Sequence, residues 1–205
     1  MYTHIVFDID GTLLDTERSD LESLQETMKT LFGRDIPLEE LTFAFGITGA
    51  DALARMGVEN IPAALEVWNR NIRARAHMVK LFPGIAETVE ALSAAGRSLG
   101  AVTSRTREEY AQDLCRLTFS PLLQLVICAE DTAAHKPDPA PLRQYLALSG
   151  ARAGETLYVG DSVYDSRCAQ GAGIDFALAA WGSKGRDVPA KYILKTPEDL
   201  LDVCR

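Results

Sequence analysis

One stretch near the start of the chain restricts its fold more than any other: Tyr2-Thr3-His4-Ile5-Val6-Phe7-Asp8-Ile9-Asp10-Gly11-Thr12-Leu13-Leu14-Asp15-Thr16. Ile5, Val6 and Phe7 read as a short buried strand, because β-branched and aromatic side chains fill a sheet interior and the run is too short for a helix. Acids cannot continue a strand that is covered on both faces. Asp8 and Asp10 therefore mark where it leaves the sheet, and Gly11 supplies the sharp turn. Side chains alternate along a strand, which puts Asp8 and Asp10 on one side, while Gly11 lets backbone approach whatever they hold. A hard cation or a phosphate suits that arrangement. A lone Asp at this place would ordinarily only cap and solvate the turn, but further polar strand ends follow downstream.

After this turn the apolar residues fall at helical spacing. Leu21, Leu24, Met28 and Leu31 form one stripe that stops at Gly33; Pro37 opens a second helix; a third runs from about Ala50 to Met56; a fourth follows Pro62 with Leu65, Trp68, Ile72 and Ala76 on one face. From Thr16 to Leu81 only helical patterns occur, so residues 16–81 are expected to form a small helical domain inserted between residues 1–15 and 82–205. Phe82-Pro83-Gly84 is its return linker. Beyond it, strands at Leu99-Gly100-Ala101-Val102, Leu125-Val126-Ile127-Cys128, Leu157-Tyr158-Val159 and Ile174 to Ala180 alternate with helices, and Tyr192-Ile193-Leu194 reads as an edge strand. That alternation predicts an α/β fold, a doubly wound parallel sheet, with the helical insertion acting as a lid.

Ligands of open parallel sheets bind at the carboxyl ends of the strands. Besides Asp8, two apolar strands here end in polar residues, one at Thr103-Ser104 and one at Gly160-Asp161-Ser162, with Asp165 in the first turn of the helix that follows. Asp161 and Asp165 alone would pass as helix-start chemistry. Beside Asp8, the three acids repel one another unless a cation joins them, and a small set of oxygen ligands completed by water and phosphate suits Mg²⁺ better than zinc. Lys136 sits in His135-Lys136-Pro137-Asp138-Pro139, where the prolines stiffen the loop that carries the ammonium group. Hydroxyls and amides at the Thr103-Ser104 turn are suitable phosphate ligands. Arg105 reads as a surface guanidinium, Trp68 and Leu65 as packing within the insertion, Trp181 as core or rim packing, and the three scattered histidines as structural.

In this order the segments Asp8-Ile9-Asp10-Gly11-Thr12-Leu13-Leu14-Asp15, Thr103-Ser104, Lys136-Pro137 and Gly160-Asp161-Ser162-Val163-Tyr164-Asp165 resemble the motifs of the haloacid dehalogenase-like hydrolases. The insertion after the first motif resembles the helical cap of the phosphoglycolate phosphatase and β-phosphoglucomutase branch. The resemblance implies a Rossmann-like core and a Mg²⁺-dependent phosphatase of small phosphorylated metabolites. By the same pattern Asp8 is the nucleophile and Asp10 the general acid/base. Asp8, the Asp10 carbonyl and Asp161 surround the metal, Thr103, Ser104 and Lys136 bind phosphate, and Asp165 stands behind them. Ser166 departs from the pattern, where relatives often carry an apolar residue. A sugar-phosphate mutase and a non-catalytic binding protein are the alternatives; Asp10 argues against a dehalogenase.

Composition narrows the setting. With 21 Lys plus Arg against 29 Asp plus Glu, the net charge of −8 repels polyanions, so a nucleic-acid partner is not expected. Cys115, Cys128, Cys168 and Cys204 have no metal-ligand spacing and read as reduced, buried thiols. No 18-residue apolar run or leader segment is present, so the expectation is a cytoplasmic protein, monomer or homodimer, away from membranes.

Overall fold

In the computed structural model, which describes residues 1–114, 117–184 and 187–205, the first apolar run forms β1 (His4–Phe7), and the turn after Asp10 leads into a two-residue strand, β2 (Leu14–Asp15). Four helices follow: α1 (Glu17–Phe32), α2 (Leu38–Leu41), α3 (Gly49–Arg55) and α4 (Ile61–Ala74). Gly33, at φ 64°, closes α1 in the left-handed conformation that its position predicts. The chain returns through β3 (Lys80–Leu81), which pairs antiparallel with β2 so that Leu14 faces Leu81 and Asp15 faces Lys80. This small ribbon at the two ends of the helical segment was not legible in the sequence, because strands of two residues carry no periodicity.

The remainder alternates: α5 (Ile85–Ala94), β4 (Ser98–Val102), α6 (Arg107–Asp113), β5 (Leu123–Ile127), α7 (Ala140–Ser149), β6 (Thr156–Gly160), α8 (Val163–Ala172), β7 (Asp175–Ala179), β8 (Tyr192–Leu194) and α9 (Asp199–Val203). The main sheet has the order β5-β4-β1-β6-β7-β8 and every adjacent pair is parallel. Among the described residues β8 is an outer strand, as expected from its sequence.

Alternation along the strands sorts the core into two layers. Ile5, Phe7, Leu99, Ala101, Leu157 and Val159 point to one face, where α5, α6 and α9 pack; Val6, Val102, Tyr158, Phe176 and Leu178 point to the other, against α7 and α8. Each fully buried Ile or Phe of β1 contributes about 1.5–3 kcal/mol of apolar burial. The helical segment has its own apolar cluster, built from Leu21, Leu24, Met28, Leu53 and Trp68 among others. The Trp68 indole N–H donates to the Asp20 carbonyl at 3.3 Å and ties α4 to α1.

Ser166 is buried but not unpartnered: its hydroxyl donates to the Pro189 carbonyl and fastens α8 to the segment entering β8. A polar residue at this apolar-looking position is thereby accommodated. Trp181 packs against the core, with its indole N–H donating to the Thr12 carbonyl at 2.9 Å, so it supports the first turn. Cys128, Cys168 and Cys204 are free and buried, and Cys115 lies outside the described residues. No helix among the described residues is long and apolar enough to cross a membrane.

Candidate active site

The carboxyl ends of β1, β4 and β6 meet the helical segment, and the polar residues that end those strands converge there. Lys136, delivered by the loop before α7, is buried. Its ammonium group donates to Asp8 Oδ1 at 2.7 Å and Asp165 Oδ1 at 2.8 Å, and lies 3.3 Å from the Tyr158 hydroxyl. Burial alone would lower the lysine's affinity for its proton, but Asp165 and Asp8 outweigh it and hold the group firmly as an ammonium ion.

Asp165 is placed by the start of α8. Its Oδ2 accepts from the Ser162 amide at 3.1 Å and from the Ser162 hydroxyl, while the Asp165 amide donates back to Ser162 Oγ at 3.2 Å, a reciprocal cap. A Cβ on Gly160 would stand 2.6 Å from Asp165 Cγ, so the close approach of this acid to the end of β6 needs a glycine. Gly11, at φ 77°, has the matching role in the first turn: a side chain there would collide with the Asp161 carboxylate.

Among the described residues two buried carboxylate oxygens remain unsatisfied. Asp8 Oδ2 and Asp161 Oδ1 are buried without a hydrogen-bond partner. One oxygen from each of Asp8, Asp161 and Asp165 lies within 4.8 Å of the others. Buried acids so arranged resist ionisation: burial, relieved by Lys136 and aggravated by Asp165 and Asp10, pushes Asp8 up to about 7, and burial with Asp165 and Asp8 raises Asp161 well above the carboxylate range. Orphaned, all-oxygen, anionic donors are what a hard divalent cation neutralises, so these residues fit Mg²⁺.

Asp10 is held differently from Asp8. Its Oδ1 accepts from the Thr16 hydroxyl at 2.8 Å and from Arg105 Nη2 at 2.7 Å, and its Oδ2 accepts from Arg105 Nε at 2.8 Å. The other arm of the guanidinium reaches Asp113. Burial would raise the Asp10 carboxyl, but Arg105 and Thr16 together bring it below the usual range. One expectation needs correction here. Arg105 is not a surface residue: its side chain is 10% exposed and bridges two acids. Before a divalent cation joins it, Asp8 holds its proton more tightly than Asp10, because the bidentate guanidinium favours the Asp10 carboxylate. Arg105 follows Thr103 by two positions, at the start of a helix rich in acids, and only the tertiary approach of Asp10 reveals its task. Arg105→Ala is expected to cost about 3 kcal/mol in urea unfolding, whereas Arg107→Ala, at an exposed pair, should stay within about 0.5 kcal/mol.

A cavity of about 320 Å³ opens onto Asp8, Asp10, Ser104 and Lys136. Thr103 lies beside it at the end of β4, buried, its hydroxyl accepting the Arg105 amide at 3.1 Å. Ser104 faces the cavity, but its hydroxyl donates to the Gly46 carbonyl at 3.0 Å and links the sheet to the helical segment. Gly46, Ile47 and Gly49 line the cavity from that segment, as do Leu65 and Trp68, so these last two pack the helices and wall the cavity at once. His135 sits outside, its ring bridging Asp51 and the Ala129 carbonyl at 3.2 Å each.

Known proteins of similar sequence and fold point to one family. The chain is 26% identical over 204 residues to pyrophosphatase PpaX of Halalkalibacterium halodurans, covering 97% of this chain and 95% of that one. With PpaX of Anoxybacillus flavithermus it shares 29% over the same span. A crystal structure from Lactobacillus plantarum, of a protein provisionally named a phosphoglycolate phosphatase, superposes with a TM-score of 0.90 at 27% identity and covers 99% of both chains. CbbY of Rhodobacter sphaeroides, solved with phosphate, shares the fold at a TM-score of 0.82 and 22% identity, covering 98% of this chain and 96% of that one. The family model for haloacid dehalogenase-like hydrolases matches residues 5–179, and the chain belongs to that family.

Proposed function

We propose that this protein is a Mg²⁺-dependent phosphatase that hydrolyses a small phosphorylated metabolite through an aspartyl phosphate on Asp8. One observation carries the reading: Lys136 clamps Asp8 and Asp165 through one oxygen each, while Asp8 Oδ2 and Asp161 Oδ1 are buried with no partner. The pyrophosphatases and phosphatase-named structures among its relatives support the same class.

In this reading residues 1–15 and 82–205 are the catalytic core and residues 16–81 a cap, joined at the β2–β3 ribbon. Asp8, Asp161 and the Asp10 carbonyl hold the cation, and Asp165 orients Lys136 from behind. When bound, Mg²⁺ supplies positive charge to the phosphoryl oxygens and to the ionised Asp8. Lys136 adds its own positive charge beside Asp8, and Thr103 with the amides of its turn would hold the phosphoryl group.

The Asp8 carboxylate attacks phosphorus, forming an acyl-phosphate bond as the bond to the leaving oxygen breaks, and Asp10 donates a proton to that oxygen. Asp10, now a carboxylate, takes a proton from the water that attacks phosphorus next, which restores Asp8 and releases inorganic phosphate. Because Arg105 and Thr16 hold Asp10 as the anion, its acid step requires that this pairing loosen when substrate fills the cavity. The cap shields the site from bulk water.

Binding of the cation is testable without turnover. Mg²⁺ at about 100 times its Kd should stabilise the fold by about 2.7 kcal/mol. The gain in Tm should be larger at pH 8 than at pH 6, since protons compete for the same carboxylates. Asp161→Asn should remove most of that gain. A wild-type Tm indifferent to Mg²⁺ would contradict the metal assignment.

A further inference from the structure

The cavity is built for a leaving group larger and less anionic than pyrophosphate or a two-carbon acid. We infer that the substrate is a phosphomonoester whose alcohol has an apolar, ring-sized body and a neutral or cationic distal end, with no second phosphate or carboxylate. This rests on the phosphatase reading and narrows it.

Size is the first argument. About 320 Å³ falls within the range of roughly 300–1,000 Å³ typical of small-molecule sites, and neither pyrophosphate nor a two-carbon phosphoester would fill it. The second argument is the wall. Away from Asp8 and Lys136 the cavity is lined by Leu21, Phe45, Ile47, Leu65, Trp68 and Ile72, a surface that gains by covering hydrocarbon or an aromatic ring, and the Trp68 indole N–H is already given to the Asp20 carbonyl.

Charge is the third. The polar lining includes the acids Asp20, Glu108, Glu109 and Asp113 beside the neutral Asn69, Thr106 and Gln112. Of the cations there, Arg105 is committed to Asp10 and Asp113, and Arg73 stands exposed on α4. A carboxylate or phosphate placed among these acids meets like charge, whereas a hydroxyl or ammonium group finds acceptors.

Phosphate release in the presence of Mg²⁺ from matched phenyl phosphates bearing a para aminoethyl, hydroxyethyl or carboxyethyl group, alongside phosphoglycolate and pyrophosphate, tests the inference. The aminoethyl and hydroxyethyl esters are expected to exceed the carboxyethyl ester in kcat/KM by about 10-fold or more, and both small anionic substrates to fall below all three. A carboxyethyl ester equal to the others overturns the inference and leaves the phosphatase reading standing, as does pyrophosphate or phosphoglycolate as the best substrate. No release from any member overturns both. In an Asp20→Asn, Glu108→Gln double variant the preference against the carboxyethyl ester should shrink; an unchanged ratio overturns the charge argument. If Arg73 instead recruits a second anion, Arg73→Ala would selectively lower kcat/KM for the carboxyethyl ester, which also overturns the inference.

Discussion

Asp8→Asn is expected to lower phosphate release by about 10⁴-fold or more, because the amide cannot form the acyl-phosphate bond. The variant should remain folded. Asn is nearly the same shape, Lys136 keeps Asp165 as an ion-pair partner, and one buried negative charge is removed from a site where three acids crowd together. Steady-state phosphate assays with a thermal melt on the same sample check both statements. Retention of more than about one-hundredth of wild-type turnover would assign the chemistry to another group. A collapsed melt would instead give Asp8 a structural task.

Lys136→Met should have the largest effect on stability. The side chain is 1% exposed and is the counter-ion of both Asp8 and Asp165, so its loss leaves two buried carboxylates with no cation among their hydrogen-bond partners. Breaking a buried pair in this way costs about 3–5 kcal/mol, equivalent to a fall in Tm of roughly 10 °C for a chain of this size. Urea unfolding without added metal measures it. Adding Asp8→Asn to Lys136→Met should recover part of the loss, since the two changes remove opposite charges from one contact. A single variant within about 1 kcal/mol of wild type would show that the lysine does not balance the acids.

The sheet and the convergence of Asp8, Asp161, Asp165 and Lys136 were largely legible in the sequence, for physical reasons that can be named. Buried parallel strands such as Ile5-Val6-Phe7 and Leu157-Tyr158-Val159 are apolar runs, and each ends abruptly at an acid, so strand ends and candidate ligands were marked by the same residues. Asp8, Asp161, Asp165 and Lys136 come from three distant segments and meet because β1 and β6 are adjacent.

Other features carried no local signal. Arg105 follows a Thr-Ser pair at a helix start, which is ordinary surface composition; its partner Asp10 lies 95 residues away. Ser104 was expected on phosphate, but its hydroxyl is satisfied by Gly46, a contact set by how the helical segment sits over the sheet. Tyr158 looked like one more apolar strand residue, yet its hydroxyl donates to Asp165 Oδ1 at 2.9 Å or to the Val102 carbonyl at 3.1 Å, which places it within the charged cluster. In each case the decisive partner is remote in sequence and a polar atom on a common residue type gives no hint of it.

The central claim is that Asp8 itself receives the phosphoryl group. Acid quenching of the enzyme during turnover of a phosphomonoester that it hydrolyses, followed by borohydride reduction and peptide mapping, reads this directly, since reduction of an aspartyl phosphate leaves homoserine. Homoserine at position 8 and no other is the expected result. Homoserine at Asp10 or Asp161, or none at all from enzyme quenched in a phosphate burst, would contradict it.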